Sequence, residues 1–258
     1  MHLLDHDINN DGFKEVLASG EVFPSSTMVG PSHLVGLLSG DDGTVLWKAL
    51  RSASGKTTVS SKLTNVHSEV DAGGKVEITG IVSESHMNGS GHTWLVRLKA
   101  KTGETKWKVP LFATAISNLG FKLVHKDLNK DGIQDILTPG GAVIDAGGMV
   151  ITGKLQMRAY DGRDGSLIWK APMVQLEKSS NGHTLYCAPE MTVVDTESDG
   201  VVVAFYDHRF ANGSNANLRI IHGATGQDIG HPLNWTEPMP NPNINEIQLP
   251  WPVVIKDR

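Results

Sequence analysis

The chain has 258 residues, of which 39% are hydrophobic and 20% are charged, so it is long enough to bury a sizeable core and is not disordered throughout. Its net charge of −5 argues against a phosphate-binding surface, because nucleic-acid affinity depends on clustered Lys and Arg. A single cysteine, Cys187, excludes an internal disulfide and a thiolate zinc cluster. No apolar stretch is long enough to span a membrane. The first residues show no signal-peptide pattern, which predicts a cytosolic protein or a piece of a longer exported chain.

The first motif along the chain is an acidic loop at residues 7–15, Asp-Ile-Asn-Asn-Asp-Gly-Phe-Lys-Glu. Residues 127–135 repeat it closely, and residues 69–77 and 195–203 are weaker copies. The four loops therefore begin at Asp7, Glu69, Asp127 and Asp195. This nearly even spacing predicts an internal repeat of about sixty residues.

A second motif, a glycine followed four residues later by tryptophan, alternates with the acidic loops. It occurs at Gly43, Gly103 and Gly165, and Gly226 opens a fourth copy in which Gly230 takes the tryptophan position. These units recur with nearly the same period as the acidic loops, about sixty residues. Each glycine follows an apolar segment, so the motif predicts a turn between two strands.

The third repeat shows the predicted strand pattern, with strands over residues 121–126, 133–137 and 154–160, and a fourth through residues 168–169. No segment has a sustained helical stripe of apolar residues. Four short antiparallel strands per repeat predict an all-β fold, a β-propeller of about four blades in a single domain over residues 1–258. The repeats are expected at about residues 1–62, 63–120, 121–190 and 191–250. The start of a further repeat at 251–258 predicts an incomplete part of a larger propeller.

The two strong acidic loops predict calcium sites. Calcium takes six to eight oxygen ligands from carboxylates, amides and backbone carbonyls, and these loops place such oxygens at alternate positions of a sharp turn. The expected ligands are Asp7, Asn9, Asp11, the Phe13 carbonyl and Glu15 in one loop, and Asp127, Asn129, Asp131, the Ile133 carbonyl and Asp135 in the other.

Two alternatives to these calcium cages have a physical basis. An EF-hand needs a glutamate at its twelfth position, where this chain has Ala18 and Thr138, so that motif is rejected. Simple Asx-turns remain open for all four loops. They are favoured at 69–77 and 195–203, where Gly73 and Val203 replace expected acids.

The two motifs together resemble known propeller repeats. The acidic loops resemble the FG-GAP repeats of integrin-α-like propellers, which implies calcium binding. The turn-and-tryptophan segments, best shown by residues 100–107, are similar to the repeats of quinoprotein-like (PQQ-type) propellers, which implies that the tryptophan packs one blade against another. Such repeats specify a fold better than a function.

No motif of a known active site occurs, and the eleven histidines show no paired metal spacing. The sequence therefore predicts a calcium-binding, non-catalytic binding or adhesion module of an exported or cell-surface protein. Millimolar calcium outside cells suits weak sites of this kind. A polysaccharide lyase resembling rhamnogalacturonan lyases and a quinone-dependent dehydrogenase are the alternatives.

The alternating direction of the four strands in a blade predicts where a ligand would bind. The acidic loops and glycine turns join the first to the second and the third to the fourth strands, so they share one face of the blade. Long connections lie on the opposite face, where binding residues are expected. The candidates for contact with a protein or glycan ligand are Phe23, His86, His92, His208, Arg209 and Phe210.

Overall fold

A computed structural model describes residues 1–22, 32–51, 58–71, 73–86, 91–112, 123–145, 151–176, 190–196, 200–210, 214–231 and 233–237. Over these residues the chain forms sixteen strands and no helix, so it contains no helix that could cross a membrane. The strands fall into four consecutive groups of four, which we call blades 1 to 4.

Each blade is a run of four strands in chain order. Blade 1 contains β1 (His2–Leu3), β2 (Val16–Val22), β3 (Ser32–Leu38) and β4 (Val45–Arg51). Blade 2 contains β5 (Thr58–Val70), β6 (Val76–His86), β7 (Gly91–Lys99) and β8 (Thr105–Phe112). Blade 3 contains β9 (Val124–Lys126), β10 (Asp135–Asp145), β11 (Ile151–Tyr160) and β12 (Leu167–Leu176). Blade 4 contains β13 (Glu190–Thr196), β14 (Gly200–Phe210), β15 (Ser214–His222) and β16 (Leu233–Glu237).

Within every blade, each strand pairs antiparallel with the next one along the chain. Blades 2 and 3 are joined by a single parallel pair between Phe112 and Gly141, which makes one eight-stranded sheet. The prediction of an all-β chain with four antiparallel strands per repeat is confirmed.

The second and third strands extend further than predicted. The predicted strand 133–137 is β10, which pairs with β11 from Ile136 opposite Tyr160 to Asp145 opposite Ile151. Residues 138–145 and 151–153, which the predicted pattern leaves between these two strands, belong to β10 and β11, because strand pairing outweighs the turn preference of their Pro and Gly residues. An added Cβ on Gly140 would lie 2.9 Å from the Arg158 side chain, so the glycine makes room for that side chain across the sheet.

The described core forms two clusters of buried apolar side chains. One extends over blades 1 and 2, and the other reaches from blade 2 through blade 3 to blade 4. The first includes Leu17, Val35, Leu37, Leu63, Ile78 and Leu98. The second includes Leu95, Trp107, Ile136, Met157, Tyr160, Trp169 and Ile221. Because both clusters cross blade boundaries, neighbouring blades share their cores.

The signature tryptophans lie at these blade boundaries. Each indole packs on the turn glycine of the following blade and donates its Nε1 hydrogen to a carbonyl three residues before that glycine. The pairs are Trp47 with Gly103, Trp107 with Gly165, and Trp169 with Gly226. In β4, β8 and β12, the pairing with the preceding strand shifts register at the residue just before the tryptophan. Such bulges increase local twist and redirect a side chain, which here orients the indole toward the next blade.

Candidate metal sites

The first acidic loop connects β1 to β2 and brings carboxylates together. One oxygen from each of Asp7, Asp11 and Glu15 lies within 4.8 Å of the others. The Asp7 carboxylate accepts hydrogen bonds from the amides of Asn10, Asp11 and Gly12, at 2.7 to 3.2 Å. Asn10 and Gly12 have φ angles of 63° and 95°, the left-handed conformation that folds the loop back on itself.

The other expected ligands of this loop also contribute to its internal bonding. Asn9 donates through its side-chain amide to Asp11 and accepts the Asp11 backbone N–H. The Phe13 amide donates to Asp11, while Glu15 is fully buried and accepts the amides of Ile8 and Asn9. The loop therefore combines Asx-type hydrogen bonds with carboxylate oxygens that lie close together. The same residues can form a tight turn and a cation site.

The second strong loop, at residues 127–135, has the same backbone turn. Asp127 accepts the amides of Asp131 and Gly132 at 3.1 and 2.9 Å. Asn129 accepts the Asp131 amide, and the Ile133 amide donates to Asp131.

The acidic side chains of the second loop have other partners. Arg163 Nη2 lies 3.0 Å from Asp131 Oδ2. Asp135 is fully buried and accepts the amides of Leu128 and Gly162. Burial raises the pKa of Asp135 to about 6. Among the described residues, this loop does not form a cluster of three acids within 4.8 Å.

In the two weaker loops, the residues at the equivalent positions make different contacts. Glu69 and Glu77 both accept hydrogen bonds from the buried Arg97, and Lys106 Nζ lies 2.6 Å from Glu77. Asp71 accepts the amides of Gly73 and Lys75, as in a simple turn. In the fourth loop, residues 197–199 lie outside the described residues. Asp195, its first residue, pairs with Lys126 at 2.5 Å.

The acidic loop and the glycine turn of a blade are in contact, which confirms that they share one face. In blade 1, the hydroxyl of Ser39 donates to Asp11 at 3.0 Å. In blade 3, Gly162 and Arg163 of the turn donate to Asp135 and Asp131 of the loop.

The candidates for the opposite face lie at the far ends of strands. His92 is exposed on β7, and His86 is the last residue of β6. The segment 208–210 ends β14. Phe23 lies outside the described residues.

A cleft between the first strands of blades 2 and 3 was missed by the motif search. It has a volume of about 640 Å³ and is lined by His6, His67, Ser68, Glu69, Val70, Leu123, Val124, His125 and Gln134. The rings of His67 on β5 and His125 on β9 lie 4.0 Å apart between centroids. Burial lowers the pKa of both imidazoles, that of His125 to about 3.

A signal for this cleft was present in the repeat register. His67 and His125 both stand two residues before the first position of an acidic loop, at Glu69 and Asp127. A scan for local metal spacings does not detect two histidines that belong to different repeats. Equivalent positions of successive repeats lie side by side in neighbouring blades. Aligning the repeats with one another therefore predicts that these two histidines are close together.

The fold and its inter-blade tryptophans define a β-propeller chain built from PQQ-type repeats. Residues 31–231 match the PQQ_2 family model, described as outer membrane protein assembly factor BamB, and the chain belongs to this family. The resemblance of the acidic loops to FG-GAP repeats has no support in these comparisons. A search of curated proteins gives no match.

Two solved structures are similar to this chain. The quinohemoprotein alcohol dehydrogenase from Comamonas testosteroni has 12% identity and a TM-score of 0.47, over 78% of this chain and 32% of that one. The quinohemoprotein alcohol dehydrogenase ADHIIG from Pseudomonas putida HK5 has 11% identity and a TM-score of 0.42, over 76% and 31%. This chain therefore spans about a third of the length of either protein.

Proposed function

We propose that this chain is a non-catalytic binding segment of a propeller in an exported or cell-surface protein, and that calcium orders its acidic loops. The observation that carries the proposal is the use of the three signature tryptophans. Trp107 and Trp169 are 8% and 6% exposed, and all three indoles bond to the next blade. Aromatic side chains engaged in this way hold one blade against the next, which is a role in the scaffold.

Family membership supports the same function. The matching model is described as outer membrane protein assembly factor BamB, and we take assembly to be a binding role. A location outside the cytoplasm agrees with that description and with the calcium concentration that weak oxygen cages require.

Calcium is proposed at both strong loops, with the tighter site in the first. There, three carboxylates converge within 4.8 Å, and their mutual repulsion falls when a cation binds between them. The second loop presents Asp127 and Asp131, but Arg163 neutralises part of its charge.

Calorimetric titration of the chelator-treated protein tests the calcium proposal. We expect about two calcium ions per chain, and loss of the tighter one in the double variant Asp7→Asn/Asp11→Asn. Asp42→Asn is the matched control, because Asp42 lies in the adjacent glycine turn and accepts the Thr44 amide. Equal calcium binding by the wild type and the double variant would overturn the assignment.

The binding role is tested against both enzymatic alternatives with the same preparation. We expect saturable binding to an unfolded outer membrane protein or to an arrayed glycan, weakened in His208→Ala/Arg209→Ala. We expect no dye reduction after reconstitution with pyrroloquinoline quinone and calcium, and no depolymerisation of rhamnogalacturonan. Turnover in either enzymatic assay would contradict the non-catalytic proposal and would favour the corresponding enzyme activity.

A further inference from the structure

The cleft between β5 and β9 contains a second, chemically distinct set of ligand groups. We propose that His67, Glu69 and His125 bind one divalent transition-metal ion of the Zn²⁺ type, which links the first strands of blades 2 and 3. This inference does not depend on the calcium proposal, because no residue is shared with either strong acidic loop.

The geometry of the three side chains supports the proposal. One nitrogen from each imidazole and one carboxylate oxygen of Glu69 all lie within 4.8 Å of one another. The Glu69 Oε2 atom is 3.9 Å from His125 Nδ1. Metal-bound ligand atoms lie about 2.0–2.2 Å from zinc, so the three ligand atoms would move closer together when they surround one ion.

Buried polar atoms of the cluster lack hydrogen-bond partners, which is a second and independent indication of a ligand. The His125 side chain is 6% exposed, and neither of its ring nitrogens has a hydrogen-bond partner. Glu69 Oε2 is also buried without a partner. A buried polar atom without a partner is destabilising, and coordination of a metal ion would satisfy two of these three atoms together.

The surroundings hold Glu69 in a suitable orientation. Arg97 donates to Glu69 Oε1 and, at 2.5 Å, to Glu77 Oε2, so the Oε2 atom of Glu69 remains directed toward His125. Hydrogen bonds of this kind to the second carboxylate oxygen orient metal ligands in proteins. The Arg97 charge is offset by Glu77, which limits its repulsion of a cation.

The donor set selects the class of metal. Two imidazole nitrogens and one carboxylate suit zinc and related first-row ions, whereas calcium prefers oxygen ligands only. Three protein ligands leave a coordination position open, and the cleft beside them is accessible and also lined by His6. That position can hold water or a fourth protein ligand.

Zinc binding to the full chain tests the site. We expect one Zn²⁺ per chain with a dissociation constant of about 1 µM in competition with a chromophoric chelator. Co²⁺ bound at the same site should show visible d–d absorption. His67→Gln and His125→Phe should each weaken zinc binding by at least about tenfold, and His231→Ala, at an exposed histidine, should not.

Two outcomes would overturn the proposal. One is a wild-type chain that binds no zinc at about tenfold above that concentration. The other is retention of wild-type affinity in both His67→Gln and His125→Phe. The phenylalanine variant keeps the volume of the buried ring, so its folding, followed by circular dichroism, separates loss of a ligand from loss of structure. Unchanged calcium titration in these variants separates this site from the acidic loops.

Discussion

The indole nitrogen of Trp47 in blade 1 lies 2.6 Å from the carbonyl oxygen of Ala100 in blade 2. The same ring covers Gly103, where an added Cβ would be 2.6 Å from the indole carbons. The contact recurs between blades 2 and 3 and between blades 3 and 4. Since each blade contacts its neighbour through the same pair of elements, stability should depend strongly on these interfaces, as in other repeat proteins.

Gly103→Ala should destabilise the protein more than Gly43→Ala. Both glycines have positive φ angles, 69° and 74°, so both variants incur the backbone cost of about 1–2 kcal/mol. Only at Gly103 does the new methyl group meet an indole, which adds about 1–3 kcal/mol of overpacking. Urea unfolding of both variants measures the difference. Equal losses of stability would show that the Trp47 contact contributes nothing.

Arg97→Met should lower the free energy of unfolding by about 3–5 kcal/mol, because it leaves the buried Glu69 without its cation and Glu77 with Lys106 alone. Arg97 is 1% exposed, and both carboxylates are also buried. The control is Lys99→Ala, which removes an exposed pair with Glu104 and should cost less than about 1 kcal/mol. Denaturant unfolding compares the two, and a small effect of Arg97→Met would contradict a structural role for the buried network.

Arg163→Ala should strengthen calcium binding at the second acidic loop. Its guanidinium lies 3.0 Å from Asp131 Oδ2 and is more than half exposed, so it competes only weakly with a cation. Removing a surface charge pair of this kind is expected to change the affinity by about two- to fivefold. Calorimetry on the Asp7→Asn/Asp11→Asn background isolates the second loop. Lys99→Ala on the same background is the control, and weaker binding after Arg163→Ala would contradict calcium at this loop.

The stability of the chelator-treated protein should fall as the pH falls below about 6.5, in part because of His125. Burial lowers the pKa of His125 to about 3 in the folded protein, whereas the unfolded chain takes up the proton near 6.5. Between these values the unfolded state binds more protons, so acid favours unfolding. His125→Phe should flatten the pH dependence of the unfolding free energy in this range. His231→Ala should leave it unchanged, and an unchanged slope in His125→Phe would show that the imidazole is protonated in the folded state.

Much of the fold could be predicted from the repeat. Residues such as Gly103 and Gly165 recur at nearly constant steps, and a turn glycine with positive φ has a local cause that a sequence displays. The ends of the strands were less predictable. Gly140 and Gly141 are typical of a turn, yet they lie within β10, because pairing with β11 satisfies their backbone groups.

The sequence by itself determined the number of strands per repeat, the two kinds of turn, and the acidic residues of each loop, because these depend on short-range backbone preferences. The tertiary structure decided which contacts those residues make. Glu15 and Glu77 occupy equivalent positions, but Glu15 accepts loop amides and Glu77 pairs with Arg97. His67 and His125 belong to different repeats and meet only because neighbouring blades pack side by side. Such contacts join residues that are distant in the chain, and no local pattern encodes them.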